Sequence, residues 1–192
     1  MTSFKACVQT IHCLLSRLGG ADKLKIVKLL FLADKLHLIS FGRTITGDSY
    51  FAMRYGPVGS MALDILNKSM ESLSPSQIKW CDEYLEQISE YGYRAKKVSS
   101  EYDLLSKSDQ ETIKEISDKL GIMTDGQLIE LTHKYPEWAQ HKQRIVQGIT
   151  KSEPINTEDL FSSIPNDPLG VPPEIIKDSK EIFLGLACEV NN

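Results

Sequence analysis

Apolar residues recur at helical spacing along most of the chain, beginning with Phe4, Val8, Ile11, Leu15 and Leu18, which predict a helix ended by Gly19-Gly20. Asp22 is placed to cap the next helix, and that helix differs in kind. Leu24, Ile26, Val27, Leu29, Leu30, Phe31, Leu32 and Ala33 make it apolar on every side, the mark of a helix packed among other helices. Gly42 supplies a C-cap, Gly47-Asp48 a turn, and Tyr50 to Tyr55 alternates like a short strand. Gly56-Pro57 predicts a further turn, after which Ser60 caps a helix reaching about Met70. Ser74-Pro75-Ser76-Gln77 joins a capping box to a proline at the first helical position, and Ile78, Cys81, Tyr84, Leu85, Ile88 and Tyr91 continue one stripe to Gly92. Tyr93 to Val98 alternates again and is expected to pair with Tyr50 to Tyr55 in a small sheet packed on the helices.

The second half repeats this grammar. Ser108-Asp109-Gln110-Glu111 and Thr124-Asp125-Gly126-Gln127 read as capping boxes that open helices carrying Ile113, Ile116 and Leu120, then Leu128 and Leu131. Pro136 stops the latter, and Ile145, Val146 and Ile149 predict one more helix. Pro165, Pro168, Pro172 and Pro173 are half of the chain's eight prolines and predict an extended linker over 162–173. Glu174 to Ala187 then forms a short amphipathic helix that must dock, on the body or on a partner, to be stable. The expected fold is mainly α, a compact multi-helix domain over 1–161 with a small two- or three-stranded β element beside it, then the linker and a C-terminal helix and tail over 174–192.

Composition narrows the classes. A chain of 192 residues with 41% hydrophobic and 25% charged residues has the balance of a soluble globular fold. No apolar run approaches the roughly 20 residues of a membrane span, and the opening residues read as an amphipathic helix rather than a signal peptide, so a cytoplasmic location is expected. Cys7, Cys13, Cys81 and Cys188 form no CxxC pair, which leaves buried thiols as the expectation. Residues 151–192 hold three lysines against eight carboxylates, so the acidity of the chain sits in its tail. Lys23, Lys25, Lys28 and Lys35 are the densest basic cluster, read as a solvated face, and a near-neutral body gives little reason to seek nucleic acid.

The polar residues of 28–58 are the candidates for chemistry. Asp34 and His37 fall three residues apart on the most apolar helix, where an unpaired carboxylate would carry a desolvation penalty of several kcal/mol. Asp34 is expected to pair with Arg43 or accept from loop amides, and His37 to bond the backbone. Gly42 to Ser49 has the glycine spacing of a phosphate-binding loop, but Asp48 stands where its lysine belongs and a helix precedes it in place of a strand. Asp34, His37 and Asp48 lack the fixed spacing of a metal site. Trp138 is expected to wedge into the core beyond Pro136, with His133 capping or hydrogen-bonding a loop.

Lys28-Leu29-Leu30-Phe31-Leu32-Ala33-Asp34, His37, the run Gly42 to Asp48, Ala52 and Gly56-Pro57-Val58 together resemble the first block of the Panacea domain, also called SocA-like or GepA-like. Leu131-Thr132-His133 with Pro136, Glu137 and Trp138 resembles its second block, and Ile155 with Glu158-Asp159-Leu160 the segment that often closes it, so the likeness covers about residues 5–161. This resemblance implies a mainly α-helical antitoxin that neutralises a cognate toxin, encoded by an adjacent gene, through direct contact. One branch of the family instead delivers its toxin to a protease. On this footing Asp34, His37, Arg43, Thr46, Asp48, Tyr50, Tyr55, Pro57, His133 and Trp138 are the motif or toxin-binding candidates. No catalytic residue, metal or cofactor is expected, nor any membrane or nucleic-acid partner. Asp34 and His37 are expected to serve the fold, and Arg43, Tyr50 and Tyr55 recognition. A metal-dependent hydrolase and a DNA-binding regulator are the alternatives from other classes, and neither finds a recognisable spacing or a basic reading helix.

Overall fold

A computed structural model describes residues 2–97 and 102–190, with backbone alone for Thr2 and residues 186–190. The centre of the molecule is α2, Lys23–Phe41, in which every residue from Ile26 to Ile39 is buried. Asp22 caps its first turn by accepting from the Lys25 amide, and Gly42 closes it in the left-handed conformation with its amide on the Leu38 carbonyl. A helix apolar on all sides is stable only if neighbours cover all of it. Here α1 (Thr2–Leu18), α5 (Lys107–Leu120), α6 (Asp125–Lys134) and α9 (Pro173–Val190) pack around it.

Two small antiparallel sheets flank this bundle. The first runs β1-β5-β4, from Ala21–Asp22, Gly92–Ala95 and Leu85–Gln87. The second runs β3-β2-β6, from Gly56–Gly59, Tyr50–Met53 and Ser152–Pro154. The two alternating segments therefore do not pair with each other, contrary to the sequence expectation. Tyr93 lies opposite Ala21 and Gln87, while Tyr50 lies opposite Gly59. Val98 falls outside the described residues. Met53 opposite Gly56 makes Arg54-Tyr55 the hairpin turn, so Gly56-Pro57 is strand and not turn.

Other boundaries move for similar reasons. Helix α3 covers Ser60–Asn67, short of Met70, and α4 covers Pro75–Tyr84. The stripe through Ile88 and Tyr91 does not continue α4, because the chain turns into β4 to pair with β5 and leaves both side chains exposed. Ser74 and Thr124 make the expected capping boxes, whereas α5 is capped two residues earlier than expected, by a box between Ser106 and Asp109. Pro136 does begin a new turn, α7 (Pro136–Ala139), followed by α8 (Lys142–Val146) and a 3-10 helix over Thr157–Phe161.

The C-terminal helix docks back on its own body. Ile176 and Ser179 are buried, and the Phe183 ring lies 5.5 Å from that of Phe161. Gly42 is where this packing is tightest: a Cβ there would come within 2.8 Å of the Ser179 carbonyl oxygen and 2.9 Å of Ile182. The preceding segment is pinned by Asp167, whose carboxylate accepts from the Tyr135 hydroxyl at 2.7 Å and from the Leu169 amide at 3.0 Å. No helix among the described residues is long and apolar enough to cross a membrane.

Candidate functional site

The motif residues converge on the loop and hairpin that follow α2, and most of them face inward. Asp34 is wholly buried and accepts from the Ile45 amide at 2.8 Å, the Thr46 amide at 3.0 Å, the Thr46 hydroxyl, and the Tyr50 hydroxyl at 2.7 Å. Burial raises the Asp34 carboxyl, and these hydrogen bonds oppose that rise. The Tyr50 phenol is pushed well up by the same burial and by the neighbouring carboxylate. Tyr50 is thus interior, against the expectation that it stands beside an exposed loop for recognition. Asp34 does accept loop amides, as one of the two expected outcomes has it, and Arg43 pairs elsewhere.

Arg43 reaches Asp109 on α5, 2.8 Å away, while its side chain stays 46% exposed. His37 lies on the inner side of the same carboxylate: Nδ1 donates to the Arg43 carbonyl at 2.8 Å, and Nε2 sits 3.0 Å from Asp109 and 3.2 Å from the Ser108 hydroxyl. Burial would raise the Asp109 carboxyl, but hydrogen bonds from His37 and Ser106 and the charge of Arg43 outweigh it, and hold it at about 2. Asp109 carried no weight in the sequence beyond its place in the Ser108 box. The signal available was the serine three residues before it.

Asp48 does a third job. Its carboxylate accepts from the Met61 and Ala62 amides at 2.9 Å each, and so occupies the amide-rich start of α3, where an external anion would otherwise be drawn. This gives physical content to the failed phosphate-loop match: the loop's own carboxylate fills the anion position. Ser60, expected to cap α3, instead donates to Asp48. Asp34, His37 and Asp48 have separate partners, and among the described residues no His, Cys, Asp and Glu group is arranged to hold a metal ion.

Two lysines of α2 overturn the reading of a solvated basic face. Lys28 is fully buried, donates to the Pro57 carbonyl at 2.8 Å, and has its amine pushed down to about 7 by burial. Gly56, at φ +103°, permits this, since a Cβ there would lie 2.8 Å from the Lys28 amine. Lys35, equally buried, donates to Glu137 at 2.7 Å, the Leu160 carbonyl at 2.8 Å and the Ser162 hydroxyl at 3.2 Å, and lies over the Tyr135 ring. Burial lowers its amine, against the pull of Glu137. The signal for both was present: a lysine at each end of a heptad, on a helix apolar all round, has no solvated side to occupy.

Trp138 is core, as expected, and its indole donates to the Met53 carbonyl at 2.8 Å, tying α7 to the hairpin. His133 stacks face to face on it, ring centres 3.5 Å apart, in place of bonding a loop, and its Nε2 finds no partner among the described residues. Burial, with the charges of Lys28 and Lys142, lowers the His133 imidazole to about 4, so it is neutral at ordinary pH. Of the candidates, Tyr55 at the hairpin tip is the most exposed, at 57%.

Residues 26–139 match the family described as Antitoxin SocA-like, Panacea domain. The chain belongs to that family. No curated protein and no solved structure matches it. In this Panacea domain both motif blocks fall inside the matched region, the first from Lys28 through Val58 and the second from Leu131 through Trp138. The geometry joins them through the Lys35–Glu137 pair and the Trp138–Met53 bond.

Proposed function

We propose that this chain is an antitoxin that neutralises a cognate toxin, the product of an adjacent gene, by direct protein contact and without catalysis. The reading rests on membership of the antitoxin-like family. The observation that carries its non-catalytic side is the engagement of the motif's carboxylates: Asp34 on Thr46 and Tyr50, Asp48 on α3, Glu137 on Lys35 and Ser162. Groups locked into the fold hold a surface in place, and what remains for a partner is the exposed ground around Arg43 and Tyr55.

Co-expression with the neighbouring gene tests this. The neighbour alone is expected to arrest growth, and the pair to grow and to co-purify as a complex. A harmless neighbour with no complex would remove the proposal's support. Two variants separate scaffold from contact: Asp34→Ala strips the acceptor from four donors, costs roughly 3–5 kcal/mol, and fails to rescue by unfolding. Tyr55→Ala melts like the parent yet binds more weakly. Disappearance of the toxin from cells, dependent on a protease, would transfer the chain to the adaptor branch.

A further inference from the structure

Between α2, α3 and the β2–β3 hairpin lies a cleft of about 360 Å³ whose walls come from Leu24 and Val27, Met53 and Val58, and Leu63. Its rim carries Lys23, Arg54 and Lys151, with the buried Lys28 also lining it, and among the described residues no carboxylate does. Among the described residues none of the three rim cations, Lys23, Arg54 and Lys151, forms an ion pair. Lys23 donates to the neutral Asn67 amide at 3.0 Å, Lys28 to a backbone carbonyl, and Arg54 lies 5.8 Å from the Tyr55 ring. Elsewhere the chain pairs its surface charges readily, as Arg17 with Asp118, Lys68 with Asp82 and Arg144 with Glu153 show. An apolar cleft ringed by unneutralised cations, in a chain that is acidic overall, is complementary to one kind of surface.

We propose that this cleft is the anchoring point for the toxin, and that it takes a segment in which an aromatic or branched aliphatic side chain is flanked by carboxylates. The inference rests on the antitoxin reading and adds to it the place and chemistry of contact. The volume suits one large side chain, which would displace water from Val27, Val58 and Leu63. Carboxylates on either side would meet Arg54 and Lys151, which adjoin the paired Met53 and Ser152, at one end and Lys23 of α2, held on Asn67, at the other. Tyr55, beside the opening, is of a type that dominates interface energetics.

The experiment is a binding titration of the purified toxin against the parent chain, the charge reversal Arg54→Glu/Lys151→Glu, and Leu63→Phe, which puts a ring into the wall of the cleft and narrows it. Each variant is first checked by thermal melt; the two rim residues are exposed, so the reversal is expected to melt with the parent. Affinity is expected to fall about tenfold or more in the reversal, mostly through faster dissociation and slower encounter. Raising salt from about 50 to about 300 mM is expected to weaken the parent's binding and to strengthen the reversal's, since it screens attraction in the one and repulsion in the other. If Leu63→Phe melts low, Val58→Phe serves the same purpose from the hairpin side. Toxin affinity equal to the parent's in both the reversal and the narrowed cleft would overturn the inference and leave the antitoxin reading intact. Failure of the parent itself to bind would bring down both. A third arm uses decanoate, followed calorimetrically: saturable binding that the variants abolish, with toxin affinity unchanged, would assign the cleft to a small amphiphile and overturn the proposal.

Discussion

At the scale of single residues, Lys28 carries the clearest physical consequence. Its amine is raised or lowered by nothing but its surroundings, and burial takes it from an ordinary value of 10.5 to about 7. Between those values the unfolded chain holds the proton and the folded chain does not, so this group makes the fold more stable as pH rises through that window. Below pH 7 both states are protonated and the full penalty, roughly 5 kcal/mol at 1.36 kcal/mol per unit, acts against folding. Replacing Lys28 by Met removes the charge and leaves the Pro57 carbonyl without its donor, a loss of about 1 kcal/mol. Lys28→Met is therefore expected to melt several degrees above the parent at about pH 6, with the gap closing toward about pH 9. Melts across this range check it. A constant gap, or a variant less stable throughout, would show that the amine keeps its charge by a route other than the Pro57 bond.

At the scale of elements, Gly42 decides whether the C-terminal helix stays seated. It is left-handed, at φ +74°, and its missing Cβ makes room for Ser179 and Ile182 of α9. Gly42→Ala adds about 1 kcal/mol of backbone strain and pushes a methyl group against a backbone oxygen that cannot swing aside. The expected result is faster amide exchange and proteolysis confined to residues 173–190, while the bundle around α2 keeps its protection. Uniform loosening would mean that α9 and the bundle open as one unit. Legibility in the sequence divides along the same line between local and distant causes. Helices α1 and α2 and the boxes at Ser74 and Thr124 were readable, because periodicity and capping act within a few residues. Strand β6 was not, since Ser152–Pro154 is a strand only by virtue of Phe51 to Met53 opposite. Nor was the end of α4, where pairing with Ala95 overrides an apolar stripe that runs on through Ile88. In the site, Asp34's amide partners were foreseeable from a loop eight residues on, whereas Arg43's choice of Asp109 depends on where α5 lands.

At the scale of the whole molecule, the buried pair of Lys35 and Glu137 is the point at which the parts of the chain meet. Lys35 belongs to α2 and Glu137 to α7, both within 26–139, yet the remaining acceptors of the lysine are Leu160 and Ser162, beyond the matched region. Ser162 in turn donates to the second oxygen of Glu137 at 2.5 Å. The matched stretch is thus completed by residues that follow it, and β6 completes its hairpin sheet in the same way. A pair with both side chains at 0% exposure gains little over well-packed apolar groups, but half of it is costly to leave behind. Lys35→Met alone and Glu137→Leu alone are each expected to destabilise by about 3–5 kcal/mol, since each strands the other charge in the interior. The double variant is expected to recover most of that loss, giving a coupling energy of about 2 kcal/mol or more in urea denaturation. Ser162 should sense the change as well, with its amide exchange rising in the single variants and falling back in the double. Additive single effects would mean that the two charges are solvated independently, and that the closing segment is held to α2 by the packing of Leu160 rather than by this network.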